Sequence, residues 1–198
     1  MANSRTLEVS LIVRALSGSD DCAFGRLVSL YQSKVRGFLL RLCRQPAVAD
    51  DLAQDTFLIA YQKLNTYQGS GDFGAWLCSI AYRCFLQYYR KQRRQREVQQ
   101  QLANNVMVES DYYESMTAAQ RDLEQAFQQL SEAEAAAITL CHSYGYSHSE
   151  IAAILELPLG TIKSHITRGK EKLRQILQSV VMSTSSDNQH LQSQAGRN

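Results

Sequence analysis

Residues Ser147–Arg174 read SHSEIAAILELPLGTIKSHITRGKEKLR, and their spacing decides the fold class. Ser147-His148-Ser149-Glu150 has the S-x-x-E pattern, in which a hydroxyl and a carboxylate satisfy each other's helix-start amides, so a helix begins here. It runs through EIAAILEL, where Ala152 and Ala153 are small enough to let a second helix cross closely. Pro158-Leu159-Gly160 reads as a tight turn relieved by Gly160, with Thr161 placed to cap a helix from Ile162. On that second helix Ile162, Ile166, Gly169, Leu173 and Leu177 form a core stripe. Ser164, Arg168 and Lys172 recur at every fourth position on the opposite side, flanked by Lys163, His165 and Thr167. This is a helix-turn-helix over about 147–166. Its basic, hydroxyl-bearing outer face suits a DNA major groove, reading base edges and gripping phosphate. A helical hairpin with a merely solvated basic face is the alternative, and it leaves the turn chemistry unexplained.

The flanking sequence is helical too. Ser131-Glu132-Ala133-Glu134 is a second capping box. Phe24, Leu27, Val28, Tyr31, Val35, Phe38, Leu39 and Leu42 follow helical spacing after Ser19-Asp20-Asp21, and Pro46 fits the first turn of the next helix. There Val48, Ala49, Leu52, Ala53, Thr56, Phe57, Ile59, Ala60 and Leu64 cover one half, and Asp50, Asp51, Gln54, Asp55 and Gln62 the other, with Leu58 and Tyr61 among them. Tyr67–Phe73 (YQGSGDF) is a loop broken by Gly69 and Gly71, and a helix follows from about Gly74 to Arg94. The chain has two prolines, and no long stretch alternates with the period of a strand. The expectation is an all-α protein of two small helical domains, 7–94 and 116–178. A weakly structured linker over 95–115 joins them, and a polar disordered tail covers 183–198.

The 198 residues carry 21 Lys plus Arg against 19 Asp plus Glu, a net charge of +2 that does not itself suggest nucleic acid. The distribution does. Tyr82–Arg96 holds six basic residues and no acidic one, and Leu159–Arg174 holds five against Glu171 alone. Between them Glu97–Glu134 holds eight acidic residues and one base, Arg121. Two basic tracts with an acidic segment between them point to two contacts on one polyanion. No apolar run reaches the ~20 residues of a membrane span, and the N-terminus lacks the features of a signal peptide. Five cysteines, without a C-x-x-C pair, argue against a disulfide framework and for a reducing cytoplasm.

The first domain holds an aromatic cluster that a duplex reader does not need. Nine of the 17 aromatic residues lie between Phe57 and Tyr89. Several must be core, but Tyr67 and Phe73 border the glycine loop, and Tyr82 and Tyr88 adjoin the basic tract. Aromatic faces interleaved with Arg hold unstacked bases of a single strand, at roughly 1–3 kcal/mol per base. A strand-holding domain beside a duplex-reading one fits a protein that opens DNA at a fixed distance from a duplex element.

Three motifs, in order, carry a family resemblance. Asp51-Leu52-Ala53-Gln54-Asp55-Thr56-Phe57 resembles the D-L-x-Q-[ED]-x-F signature of alternative RNA polymerase sigma factors of the extracytoplasmic-function (ECF) group. Phe73–Ala81 resembles the F-x-x-W-L-x-x-I-A stretch that follows it, and Glu150–Lys172 resembles the family's second DNA-binding element. The likeness runs from about residue 7 to 178, and it equates the two domains with sigma regions 2 and 4. It implies that Asp51, Gln54, Asp55 and Leu58 dock on core RNA polymerase. It further implies that the Tyr67–Phe73 loop and the following helix hold non-template bases of the promoter −10 element, through Tyr67, Gly69, Ser70, Phe73, Trp76, Tyr82, Arg83, Tyr88 and Arg90. Thr161, Lys163, Ser164, His165, Thr167, Arg168 and Lys172 would read the −35 duplex. Such a protein has no catalytic step, cofactor or small-molecule substrate. Relatives are commonly held inactive by an anti-sigma protein, often membrane-bound. Opening would be driven by differential binding, since bases held by the protein offset lost stacking.

Arg83 stands where Asn is usual in the family, Gln87 where Asp or a similar polar residue is usual, and His165 where Arg is common, so neither half-site sequence transfers. His165→Arg is expected to strengthen DNA binding and steepen its salt dependence. Two other classes stay open on sequence grounds: a duplex-binding regulator that never joins polymerase, and a redox or zinc protein built on the cysteines, with Cys141-His142 as a two-ligand start.

Overall fold

The computed structural model describes residues 2–17, 22–69, 71–99 and 117–195. Ser70 and most of the expected linker lie outside the described residues, as do the side chains beyond Gln178. The described residues are helical almost throughout, without strands.

Four helices build the first domain: α1 (Ala2–Leu16), α2 (Ala23–Cys43), α3 (Pro46–Gln62) and α4 (Phe73–Gln99). Pro46 occupies the first turn of α3, where its missing N–H costs nothing. Leu27, Val35, Phe38 and Leu39 of α2 and Phe73, Leu77 and Phe85 of α4 are fully buried, each such side chain contributing about 1.5–3 kcal/mol. The helix α1, which the sequence reading left undescribed, buries Leu11 and Ile12, and the Tyr31 hydroxyl of α2 donates to Glu8. The helix α4 runs on to Gln99, past the expected start of the linker.

The second domain comprises α5 (Ala118–Gln128), α6 (Glu132–Ile138), α7 (His148–Leu155) and α8 (Leu159–Ala195). Both expected capping boxes are formed, at Ser131/Glu134 and Ser147/Glu150, and a third opens α5 at Thr117/Gln120. One widened π-helical turn, Thr139–Ser143, follows α6 and leads into Tyr144, Gly145 and Tyr146.

Two details of the expected turn are corrected. The chain reverses at Glu156, whose φ of 55° is left-handed, and Gly160 lies inside α8 with ordinary backbone. The Pro158 carbonyl accepts the Ile162 N–H at 3.1 Å, so the helix starts at Leu159 and Thr161 does not cap it. The polar segment from Ser183 was expected to be disordered, whereas the backbone stays helical to Ala195. No Gly or Pro interrupts the sequence between Gly169 and Gly196.

The two domains pack against each other, and their buried residues form one contiguous core. Arg44 terminates α2 in the left-handed conformation, with its N–H on the Leu40 carbonyl at 2.8 Å. Its guanidinium crosses to the carbonyls of Phe127, Gln128 and Leu130 at 3.0–3.1 Å. These carbonyls lie at and just beyond the C-terminus of α5, where a cation is favourable. Arg41 lies over the Phe127 ring beside it.

Candidate polymerase and nucleic-acid interfaces

The helix α3 divides as its periodicity requires. Ala49, Leu52, Ala53, Thr56 and Ala60 are buried, and the Thr56 hydroxyl is satisfied by the Leu52 carbonyl at 2.7 Å. Asp51, Gln54 and Asp55 are exposed on the outer face with Leu58, which is 58% exposed, and Tyr61, 61% exposed. Two large apolar side chains this open, beside acidic ones and on a rigid helix, form a surface suited to a protein partner. At its edge Arg36 of α2 pairs with Asp50.

The loop between α3 and α4 is held by its aromatic residues. Gly69 (φ 69°) and Gly71 (φ 120°) take conformations that a side chain would oppose. The Tyr67 hydroxyl donates to the Gly71 carbonyl at 3.0 Å, and the Tyr67, Phe73 and Trp76 rings pack with centroids 5.2–5.5 Å apart. Asp72 accepts the Ala75 N–H at 2.7 Å, in the manner of a helix cap.

Of the nine expected strand-holding residues, Tyr67 and Trp76 are half-buried around this loop, while Gly69, Arg83 and Arg90 are exposed. Tyr88 is half-buried, and its hydroxyl accepts from Gln92 at 3.2 Å. Ser70 lies outside the described residues. Phe73 and Tyr82 are corrections. Phe73 is fully buried against Tyr31, and Tyr82 is 5% exposed and stacked on Phe85, because both fall on the inward side of α4. In this arrangement both are core and not surfaces for bases, and Phe73 packs on Tyr67 of the loop.

The sequence reading missed four residues here. Asp72 stands just before a helix, which is itself a capping signal. Gly74 makes room for the cluster, since a Cβ on it would lie 2.9–3.0 Å from Asp72 Oδ1, Tyr31 Cε1 and Lys34 Nζ and would displace them. Lys34 and Tyr146, remote in sequence, converge on the same point: Lys34 Nζ donates to the Tyr146 hydroxyl at 2.8 Å, which donates to Asp72 Oδ1 at 2.6 Å. Burial first, and then the bond to Asp72, push the Tyr146 phenol far above its ordinary pKa.

The helix α8 separates its expected contacts into two groups. Lys163, Ser164, Thr167 and Arg168 are exposed and together line one shallow concavity. Thr161 and His165 sit half-buried on its flank, and His165 Nδ1 is buried with no hydrogen-bond partner among the described residues. Lys172 is half-exposed and engaged elsewhere: its ammonium lies 2.8 Å from Glu134 of α6, whose side chain is 5% exposed. Ile162, Ile166 and Gly169 are buried below, and a Cβ on Gly169 would fall 2.4 Å from Ile138 Cδ1. The concavity can present two cations and two hydroxyls to a groove, while Lys172 ties α8 to α6.

The cysteines assemble no centre. Cys78 and Cys84 are buried, Cys43 and Cys141 half-buried and Cys22 exposed. Burial pushes the Cys78 thiol up to about 12 and raises Cys43 and Cys84, opposite to the shift that makes a thiol reactive. Among the described residues no cluster has the makeup of a metal site, and no helix is long and apolar enough to cross a membrane.

Comparison with known proteins agrees with this division. The family described as Sigma-70 region 2 matches residues 27–95, and the family described as Sigma-70, region 4 matches residues 120–173. The RNA polymerase sigma-H factor of Pseudomonas aeruginosa is 30% identical over 181 residues, 86% of this chain and 94% of that protein. The ECF RNA polymerase sigma-E factor of Haemophilus influenzae is 29% identical over 181 residues, 86% of this chain and 95% of that protein. Among solved structures, the sigma factor RpoE in complex with the anti-sigma factor NepR from Bartonella quintana is similar, with a TM-score of 0.64 and 29% identity. That match covers 79% of this chain and 98% of that one. With two sigma domains in order and a relative 30% identical along nearly its whole length, this chain belongs to the sigma-70 family of RNA polymerase sigma factors, in its extracytoplasmic-function group.

Proposed function

We propose that the chain joins core RNA polymerase as its promoter-selecting subunit, with three surfaces of separate chemistry. The exposed Asp51, Gln54, Asp55 and Leu58 face of α3 docks on the polymerase. The Tyr67–Phe73 loop, with Trp76, Arg83 and Arg90, holds the unpaired −10 strand. Lys163, Ser164, Thr167 and Arg168 read the −35 duplex. The observation that carries this reading is the concavity of α8, which Lys163, Ser164, Thr167 and Arg168 line while the Lys172 ammonium is paired with Glu134. Polymerase makes the RNA, and this chain supplies choice of site and strand opening, so it performs no catalysis of its own and works in the cytoplasm.

The similar RpoE is bound to an anti-sigma factor in its solved structure. A protein regulator of that kind is the partner we assign to this chain for its resting state, either soluble or anchored at the inner membrane. The test is to map transcript starts made by purified core polymerase plus this chain on genomic fragments. A shared pair of elements at fixed spacing upstream of the starts supports the reading, and starts without a common upstream element contradict it.

A further inference from the structure

The first turn of α8 is apolar where the rest of its outer face is polar. Leu159 opens the helix and is 44% exposed, the one large apolar side chain left open among the described residues of the second domain. Gly160, next to it, is exposed as well. Its backbone is ordinary and a Cβ on it would meet nothing within 4 Å, so neither conformation nor packing inside the chain calls for glycine there. Gly169 of the same helix is the opposite case, because Ile138 fills the space beside it. The Ser164 hydroxyl turns back to the Gly160 carbonyl at 3.0 Å and leaves the open side of Gly160 uncovered. Thr161 is half-buried and Ile162 buried, so Leu159 and Gly160 form the outward part of this turn.

A single exposed leucine is ordinary on a protein surface, but this one stands one turn before Lys163, and Gly160 one turn before Ser164. Both therefore extend the rows that line the concavity of Lys163, Ser164, Thr167 and Arg168. The two cations there fit a phosphate backbone, and a recognition helix meets base edges with its N-terminal residues. Neither Leu159 nor Gly160 has a side chain that can hydrogen-bond a base. The apolar group displayed in a major groove is the thymine C5-methyl. Glycine is a poorer helix former than alanine, so its presence on this face fits a close approach of backbone to a partner. Resting on the function proposed above, we infer that Leu159 is a specificity-determining residue. It packs on the C5-methyl of one thymine in the −35 duplex, and Gly160 lets the helix come close enough for that contact. Choice at this base pair is made by apolar contact, and choice further along α8 by hydroxyls and cations.

Deoxyuridine lacks only that methyl. Duplexes bearing the mapped −35 element, with each thymine of either strand replaced in turn by deoxyuridine, compete for holoenzymes made with wild type, Leu159→Ala, Leu159→Met and Gly160→Ala. One replacement should weaken wild type and Leu159→Met about fourfold, the worth of one buried methyl. Leu159→Ala should bind the thymine duplex more weakly and lose nothing further at that position. Gly160→Ala should weaken every duplex roughly tenfold, while the melting temperature of the free chain stays level or rises. Leu159 is exposed, so its variants keep the fold, which far-UV circular dichroism checks. No sensitive thymine in wild type, or the same sensitivity at every position in Leu159→Ala, overturns the methyl contact. Gly160→Ala that binds as wild type does overturns the close approach. Leu159→Ala that starts less RNA yet keeps wild-type affinity and methyl dependence overturns the assignment and places Leu159 on the polymerase. In each case the wild-type holoenzyme still starts RNA at the mapped promoters, whereas failure of the functional reading is a holoenzyme that starts none.

Discussion

Glu134 holds Lys172: the carboxylate of α6 accepts the ammonium of α8 at 2.8 Å and the Ser131 N–H at 3.0 Å, from a position 5% exposed. One buried carboxylate therefore caps α6 and fixes the helix assigned to the −35 duplex. Burial alone would raise the Glu134 pKa, but the bonds from Lys172 and Ser131 outweigh it and hold it below the usual range.

Glu134→Gln keeps an acceptor for Ser131 and loses the charge facing Lys172, and we expect a loss of about 1–3 kcal/mol. Because the folded pKa is depressed, this stabilisation is present above the unfolded value near 4.3 and is lost as pH falls through the folded one. Thermal unfolding followed from pH 7 to pH 3 should show a shallower acid decline in Glu134→Gln than in wild type. Parallel declines would remove the pair from the account.

Arg168 and Lys172 are both basic and one turn apart, yet their replacements should differ in kind. Arg168→Ala in the holoenzyme should lower the log–log salt slope of promoter-duplex binding by about 0.9, with an unchanged melting temperature. Lys172→Ala should lower the melting temperature and leave the slope as it is. A reversed outcome would place Lys172 on phosphate. The inward Nδ1 of His165 sharpens the same comparison: His165→Arg steepens the slope only if the longer side chain turns out to the Arg168 side.

Gly169→Ala places a Cβ 2.4 Å from Ile138 Cδ1 in a close-packed region. Overpacking of this size costs about 1–3 kcal/mol, of which the helix propensity of Ala over Gly offsets about 1 kcal/mol, and for a domain of 60–100 residues each kcal/mol of net loss is roughly 4–8 °C. Calorimetry should show the drop, and Ile138→Val, which removes the offending Cδ1, should recover part of it in the double variant. No recovery would mean that the loss has another source.

Leu58 is exposed on α3, so Leu58→Ala should change stability by less than about 0.5 kcal/mol. It should still weaken competition for core polymerase. Unchanged competition would move the polymerase contact off this face.

The sequence made the helices legible where side chains report on backbone. Capping boxes at Ser131 and Ser147 and Pro46 at a helix start are local chemistry, and each stands in the structure as read. Thr117/Gln120 carries the same signal and was overlooked beside the polar linker. The left-handed turn at Glu156 was illegible because glutamate has no preference for that conformation, while the neighbouring Gly160 does and drew the turn to itself. Among the site residues, identity proved easier to read than direction. Phe73, Tyr82 and Lys172 have the chemistry for nucleic acid, but packing turns the first two inward and Glu134 captures the third. Contacts between domains, such as Tyr146 with Asp72, join residues 74 apart, and no local pattern announces them.

The central claim is that this chain confers promoter choice on polymerase. The direct measurement is abortive initiation on a double-stranded template bearing the mapped elements, using purified core polymerase with and without the full-length chain. The account predicts short RNA products that appear only when the chain is present, start at one position and fall away with Arg168→Ala or Leu58→Ala. Products of equal yield without the chain, or none with it while it binds the same duplex alone, would contradict it.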